Sequence, residues 1–240
     1  MGPAIARYLA VDPWHDLTIV ADVNLDGAEA VAAAVRNDGG RAEAAVVDLT
    51  SVDSIEALSS RYANADKLVI AAGVIESPRS ALEIDPAEFD RITAVNYRGV
   101  YFSAQRFAHR MAERGRGTIV AVSSVAATIP RVNRPAYSGS KAGLRLALRV
   151  LALEVVQAGV RINTVSPGVM TTTLSSKWSE SNPGNDLSAG DLETYKMRIP
   201  QGGRTTPEQV ASVIGFLLGP DSERVVMQDV VVDGGELLGV

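Results

Sequence analysis

Short apolar runs alternate with longer helical stretches along the whole chain, and this alternation most constrains the fold. Leu17–Ala21, Ala44–Val47, Leu68–Ala72, Thr118–Val122, Arg161–Val165 and Gln228–Val232 read as strands. Ala4–Ala10, Leu25–Asn37, Ser51–Ala63, Pro86–Arg114 (one or two helices), Ala136–Ala158 and Pro207–Leu218 read as helices between them. Strands separated by helices imply βαβ units and a parallel sheet. The runs are apolar throughout rather than alternating, as expected of strands covered on both faces. The expected fold class is therefore α/β, a doubly wound parallel sheet in one domain spanning residues 1–240.

Composition narrows the chemistry. No cysteine is present, which excludes disulfides, zinc–thiolate sites and a cysteine nucleophile. His15 and His109 are the only histidines, too few for a histidine metal cluster, and neither sits in a context that suggests a Ser-His-Asp hydrolase. The net charge of −5 gives no basic footprint for nucleic acid. No apolar run is long enough for a bilayer, and Met1–Asp12 lacks the pattern of a signal peptide, so a cytoplasmic location is expected. Ser175–Gly190 is polar, rich in Ser, Asn, Pro and Gly, and follows a strand end. Ligands of open α/β sheets bind beyond the carboxyl ends of strands. A substrate lid is expected there, within a loop of about residues 175–200.

The chemistry-bearing segment is Ser124 followed by Tyr137-Ser138-Gly139-Ser140-Lys141. A Tyr and a Lys four residues apart share one face of a helix. A phenol with an ordinary pKa of about 10 is a poor base at neutral pH. A neighbouring ammonium favours the phenolate and lowers that pKa. The phenol can then take a proton from an alcohol as hydride leaves its carbon, or return one in reverse. A nearby serine hydroxyl can hold the substrate oxygen. By itself a Tyr-x-x-x-Lys pair is weak, since solvated helices carry such pairs by accident.

Further motifs accompany it. Val122-Ser123-Ser124 precedes Tyr137, Ala94-Val95-Asn96 lies upstream, Arg161–Gly168 ends in Ser-Pro-Gly, and Val231–Gly235 closes the last strand. In these the chain resembles the short-chain dehydrogenase/reductase family, from about residue 2 to its end. The resemblance implies a catalytic set of Asn96, Ser124, Tyr137 and Lys141. It implies that Pro167, Gly168 and Thr172 meet the nicotinamide end of the cofactor. Asp48 and Leu49 would flank the adenine, and Ala71-Ala72-Gly73 would form the turn beside the adenosine, with Ala71 in place of the more usual asparagine.

The cofactor has its own support in the residues. Asp22 ends the first strand, and no Arg or Lys lies between it and Arg36. A carboxylate there accepts from ribose hydroxyls and repels a 2′-phosphate, so NAD is expected rather than NADP. An alternative role is helix capping ahead of Asn24. The family's first strand and its TGxxxGxG loop should precede the first helix, where pyrophosphate rests on backbone N–H groups. Here only Gly2 corresponds to that loop, so the sheet is expected to lack its first strand. The expected reason is a reading frame opened too late, the alternative a shortened paralogue without NAD binding.

Ile129-Pro130-Arg131, Ala71–Val74, Val226–Gly235 and the region of Trp178 are similar to one group within the family, the 2,3-dihydro-2,3-dihydroxybenzoate dehydrogenases of catecholate siderophore synthesis. The resemblance implies oxidation of a cyclohexadiene diol carboxylate to a catechol. Dihydro-hydroxyanthranilate, another alcohol or sugar, and a non-catalytic binding subunit are the alternatives. A substrate carboxylate needs a cation, for which Arg131 and Arg134 are the first candidates, Lys177 and Arg198 the next. Pro86–Arg114 and Ala136–Ala158 resemble the helices through which the family dimerises, which implies a homodimer or homotetramer. No metal, nucleic acid or membrane partner is expected.

Overall fold

The computed structural model describes residues 1–11, 16–77, 79–171 and 188–239. Helix α1 (Gly2–Ala10) comes first, then β1 (Thr18–Asp22), α2 (Leu25–Asn37), β2 (Ala42–Val46), α3 (Val52–Arg61) and β3 (Lys67–Ile70). There follow α4 (Pro86–Thr93), a π-helical turn (Ala94–Gly99), α5 (Val100–Glu113), β4 (Gly117–Val122), α6 (Pro135–Val155), β5 (Val160–Pro167), α7 (Pro207–Leu218) and β6 (Asp229–Val232). The fold is α/β, with parallel strands throughout, as the alternation of runs implies.

The sheet falls into two pieces. β1 pairs with β2, and β3-β4-β5-β6 form a second ribbon in that order. Among the described residues no strand joins β1 to β3, so the sheet is interrupted between them. The residues flanking this break are only half-buried in β1 (Thr18, Ile19, Val20) and β3 (Lys67, Leu68, Val69), whereas Ile119, Val120 and Ala121 of β4 are fully buried. Helix α1 spans the two pieces. Its Ile5 and Leu9 pack with Val120, Val165 and Ile214, and its Ala6 packs with Ala32, Val35 and Ala42.

Local signals explain the sharpest boundaries. Asn24 caps α2 by accepting from Gly27 N at 3.2 Å. Thr206 and Gln209 form a capping box at the start of α7, with Pro207 in its first turn. Gly99 permits a close crossing, because a β-carbon there would lie 2.3 Å from the Leu49 carbonyl oxygen. The larger core lies between the sheet and α5 and α6, through Met111, Leu144, Leu148, Ile119 and Ile162. Arg145 of α6 pairs with Asp229 of β6 at 2.8 Å, and that carboxylate also accepts from Thr164 and Ser166. No described helix is long and apolar enough to cross a membrane.

Candidate active site

The expected site residues gather at the carboxyl ends of the strands. β4 delivers Ser124, the turn after β3 delivers Gly73, the π-helical turn delivers Asn96, and α6 delivers Tyr137 and Lys141. The i, i+4 spacing puts Tyr137 and Lys141 on one face, with Lys141 Nζ 6.0 Å from the Tyr137 ring centroid. The Ser124 hydroxyl accepts from Ala126 N at 3.2 Å and lies near enough to the Tyr137 hydroxyl to act against a rise in its pKa. Lys141 and Asn96 converge on Gly73, where a β-carbon would lie 3.4 Å from Lys141 Nζ and 3.5 Å from Asn96 Oδ1.

Each of these side chains is tied down. Asn96 is fully buried; its Oδ1 accepts from Val74 N at 2.8 Å and its Nδ2 donates to Val74 O at 2.7 Å. Asn96 Nδ2 also reaches Ser140 Oγ at 3.4 Å, and that hydroxyl donates to Tyr137 O at 2.8 Å. Lys141 is 3% exposed and donates to Val122 O at 2.8 Å. Burial pushes its ammonium down to about 8.

The phenol corrects the expectation from sequence. Spacing alone suggests an ammonium-lowered Tyr137, yet burial raises its pKa. The Ser124 hydroxyl and the Arg134 guanidinium oppose the rise, and Glu76 adds to it. Lys141 directs its ammonium to the Val122 carbonyl instead. Desolvation outweighs the neighbouring cation in this arrangement.

The residues expected to meet the cofactor lie as follows. Asp22 is exposed at the end of β1, and its Oδ1 accepts from Asn24 N at 2.9 Å. The cap of α2 is Asn24 itself, so capping does not account for Asp22. Asp48 accepts from Thr50 N and Thr50 Oγ1, which lowers its pKa, and Leu49 packs on the main core. Ala71 is half-buried, and Ala72 and Gly73 are exposed. Pro167 ends β5, and Gly168 is tightly enclosed, since a β-carbon would meet Glu236 Oε2 at 2.7 Å. Gly2 opens α1, with no side-chain cap from Met1. Thr172, Lys177, Trp178 and all but the last three residues of Ser175–Gly190 lie outside the described residues.

The two arginines proposed for a substrate carboxylate are engaged within the protein. Arg131 pairs with Glu236, whose side chain is 1% exposed and whose Oε2 accepts from Val169 N at 3.1 Å. Arg134 donates to the Glu76 carbonyl oxygen. Arg198 is exposed. Sequence reasoning missed Glu76, Ser140 and Glu236. Single acidic or hydroxyl residues in irregular or helical segments carry no periodic signal, and the partners of Glu76 and Glu236 are remote in sequence. No group of three or more potential metal ligands occurs among the described residues.

Comparison with known proteins agrees with this geometry. A family model described as "Enoyl-(Acyl carrier protein) reductase" matches residues 1–236. A 2,3-dihydro-2,3-dihydroxybenzoate dehydrogenase of Bacillus subtilis (strain 168) is 32% identical, over 100% of this chain and 93% of the relative. A cis-4-hydroxycyclohexanecarboxylate dehydrogenase of Sinomonas cyclohexanicum is 33% identical, over 98% of this chain and 91% of the relative. Among solved structures, a 7α-hydroxysteroid dehydrogenase complexed with NADH and 7-oxo-glycochenodeoxycholic acid superposes with a TM-score of 0.83 at 26% identity, covering 97% of this chain and 88% of that one. With Ser124, Tyr137, Lys141 and Asn96 convergent on a parallel α/β sheet, the chain belongs to the short-chain dehydrogenase/reductase family of oxidoreductases.

Proposed function

We propose that the protein oxidises a secondary alcohol on a ring with NAD, and that its substrate is 2,3-dihydro-2,3-dihydroxybenzoate, converted to the catechol for siderophore assembly. The observation that carries the oxidation is the buried Lys141 ammonium 6.0 Å from the Tyr137 ring, on the same helix face and beside Ser124. The relatives support the ring: both are named for substrates that carry hydroxyl and carboxylate groups on a six-membered ring.

NAD fits the residues present. The exposed Asp22 carboxylate suits ribose hydroxyls, and Lys141 Nζ faces the exposed turn at Gly73. When bound, NAD supplies the hydride acceptor. Ser124 holds the substrate oxygen, and Tyr137 takes its proton. Lys141 keeps positive charge beside the phenol as it ionises. An additional parallel strand between β1 and β3, leading into α1, would pair both edges and complete the phosphate end of the site.

A second reading follows from the arginines. With Arg131 neutralised by Glu236 and Arg134 held on the Glu76 carbonyl, a neutral ring alcohol suits the site equally. NADH formation with the diol carboxylate, its amino analogue and a neutral cyclic diol separates the two. Preference for the carboxylate supports the first reading, and indifference to it the second. Alanine-rich α6 presents Leu146, Val150 and Leu153 at 65%, 52% and 65% exposure on one stripe, which supports a homodimer or homotetramer. Cytoplasmic residence belongs to the same reading.

A further inference from the structure

The start of α6 needs an acceptor that its own sequence does not supply. The first N–H groups of a helix lack intrahelical partners, and Ser, Thr, Asp or Asn at the N-cap normally accepts from one of them. Here the N-cap is Arg134, which makes no side-chain cap. The Tyr137 N–H donates instead to Glu76 Oε1 at 3.2 Å, across 61 residues of sequence. Glu76 is 2% exposed, and its Oε2 is buried with no hydrogen-bond partner. A buried carboxylate left half-satisfied is costly, and a glutamine would offer the same Oε1 acceptor. What a glutamine would not supply is charge.

The segment bearing Glu76 is clamped on both sides of it. Val74 is held by both amide atoms of Asn96. Arg91 of α4 donates to Ile75 O at 3.4 Å, and Glu88 of α4 accepts from Ser77 N at 2.9 Å. Arg134 donates to Glu76 O. Asn96, Glu76 and Tyr137 are thus one mechanical unit. Four elements surround the phenol: Ser124 after β4, Lys141 on α6 itself, Arg134 before α6, and Glu76 after β3. Asn96 of the π-helical turn stands behind Ser140, while the Arg131–Glu236 pair neutralises itself.

We propose that Glu76 is a positioning residue for Tyr137, its buried carboxylate capping the catalytic helix from outside it. This rests on reading Tyr137 as the acid–base group. Glu76 and Arg134 act on the phenol with opposite sign, consistent with burial and Glu76 raising its pKa while Ser124 and Arg134 lower it. Glu76 favours the protonated phenol in the resting protein.

The test is a spectroscopic titration that needs no turnover. The tyrosinate ultraviolet band of the protein, less that of its Tyr137→Phe variant, isolates Tyr137 from the other five of the six tyrosines. In Glu76→Gln, read against Glu76→Gln/Tyr137→Phe, the phenol is expected to titrate lower by roughly one pH unit. Glu76→Asp, which keeps the charge, should stay near the parent value, and Arg134→Gln should move it upward. Coincident titrations of the parent and Glu76→Gln would overturn the charge role. In the unaltered protein the Tyr137 amide should exchange slowly despite its place in the first turn, and fast exchange there would overturn the cap. A parent without turnover that still shows the shifted titration would fault the dehydrogenase reading and leave this one standing.

Discussion

At the scale of single residues, the site is a contest between burial and charge. Lys141 loses more to desolvation than its one carbonyl partner restores, and its ammonium sits at about 8 instead of 10.5. The sign of the resulting pH dependence follows from proton counts. Below about 8 both the folded and the unfolded chain hold the proton; between there and 10.5 only the unfolded chain does, so stability rises with pH across that window. The full contribution is roughly 3 kcal/mol. Urea unfolding at several pH values should show the parent gaining on Lys141→Met from about pH 8 upward; parallel curves would contradict the buried ammonium. The pair itself was legible, because i, i+4 spacing fixes a shared helix face whatever the tertiary context. The direction of the Tyr137 shift was not, because desolvation depends on what the rest of the chain packs around the ring.

At the scale of elements, the well-capped helices were legible almost to the residue. Asn24 starts α2, and Thr206 with Gln209 starts α7, each a local signal that needs no tertiary partner. Strand edges drifted more: Ala42–Val46 begins before the apolar run because Arg41 and Glu43 break its pattern, and pairing with β1 decides the register. The π-helical turn at Ala94–Gly99 has no signature in residue type, although it is what aims Asn96 at Val74. Links between distant elements were the least visible. Arg131 and Glu236 join the loop before α6 to the segment after β6 across 105 residues. Removing one partner of a buried pair strands the other charge, so Arg131→Ala should cost about 3 kcal/mol in chemical denaturation. Glu236→Gln added to it should restore most of that loss. If Arg131→Ala leaves stability unchanged and weakens substrate binding instead, the arginine serves a substrate carboxylate and not Glu236.

At the scale of the whole molecule, the broken sheet and the helix faces matter most. The expectation of an incomplete sheet agrees with the two separate ribbons, β1-β2 and β3-β4-β5-β6. The parallel order followed from the alternation of elements, while the bridging of the two pieces by α1 depends on which faces of Ile5, Ala6 and Leu9 find partners. The Leu146, Val150 and Leu153 stripe on α6 should be covered by a second copy. Light scattering should return a mass at least twice the monomer's 25.3 kDa, and Leu153→Glu should lower it; a monomeric parent would contradict the assembly.

The most direct test is NADH formation from NAD and 2,3-dihydro-2,3-dihydroxybenzoate by the protein and by its Tyr137→Phe variant, each also prepared with the reading frame extended upstream of Met1. The expected result is turnover that falls at least a hundredfold in Tyr137→Phe, about what loss of a general acid–base group removes. Turnover that survives the loss of the Tyr137 hydroxyl would contradict the assignment of the catalytic centre.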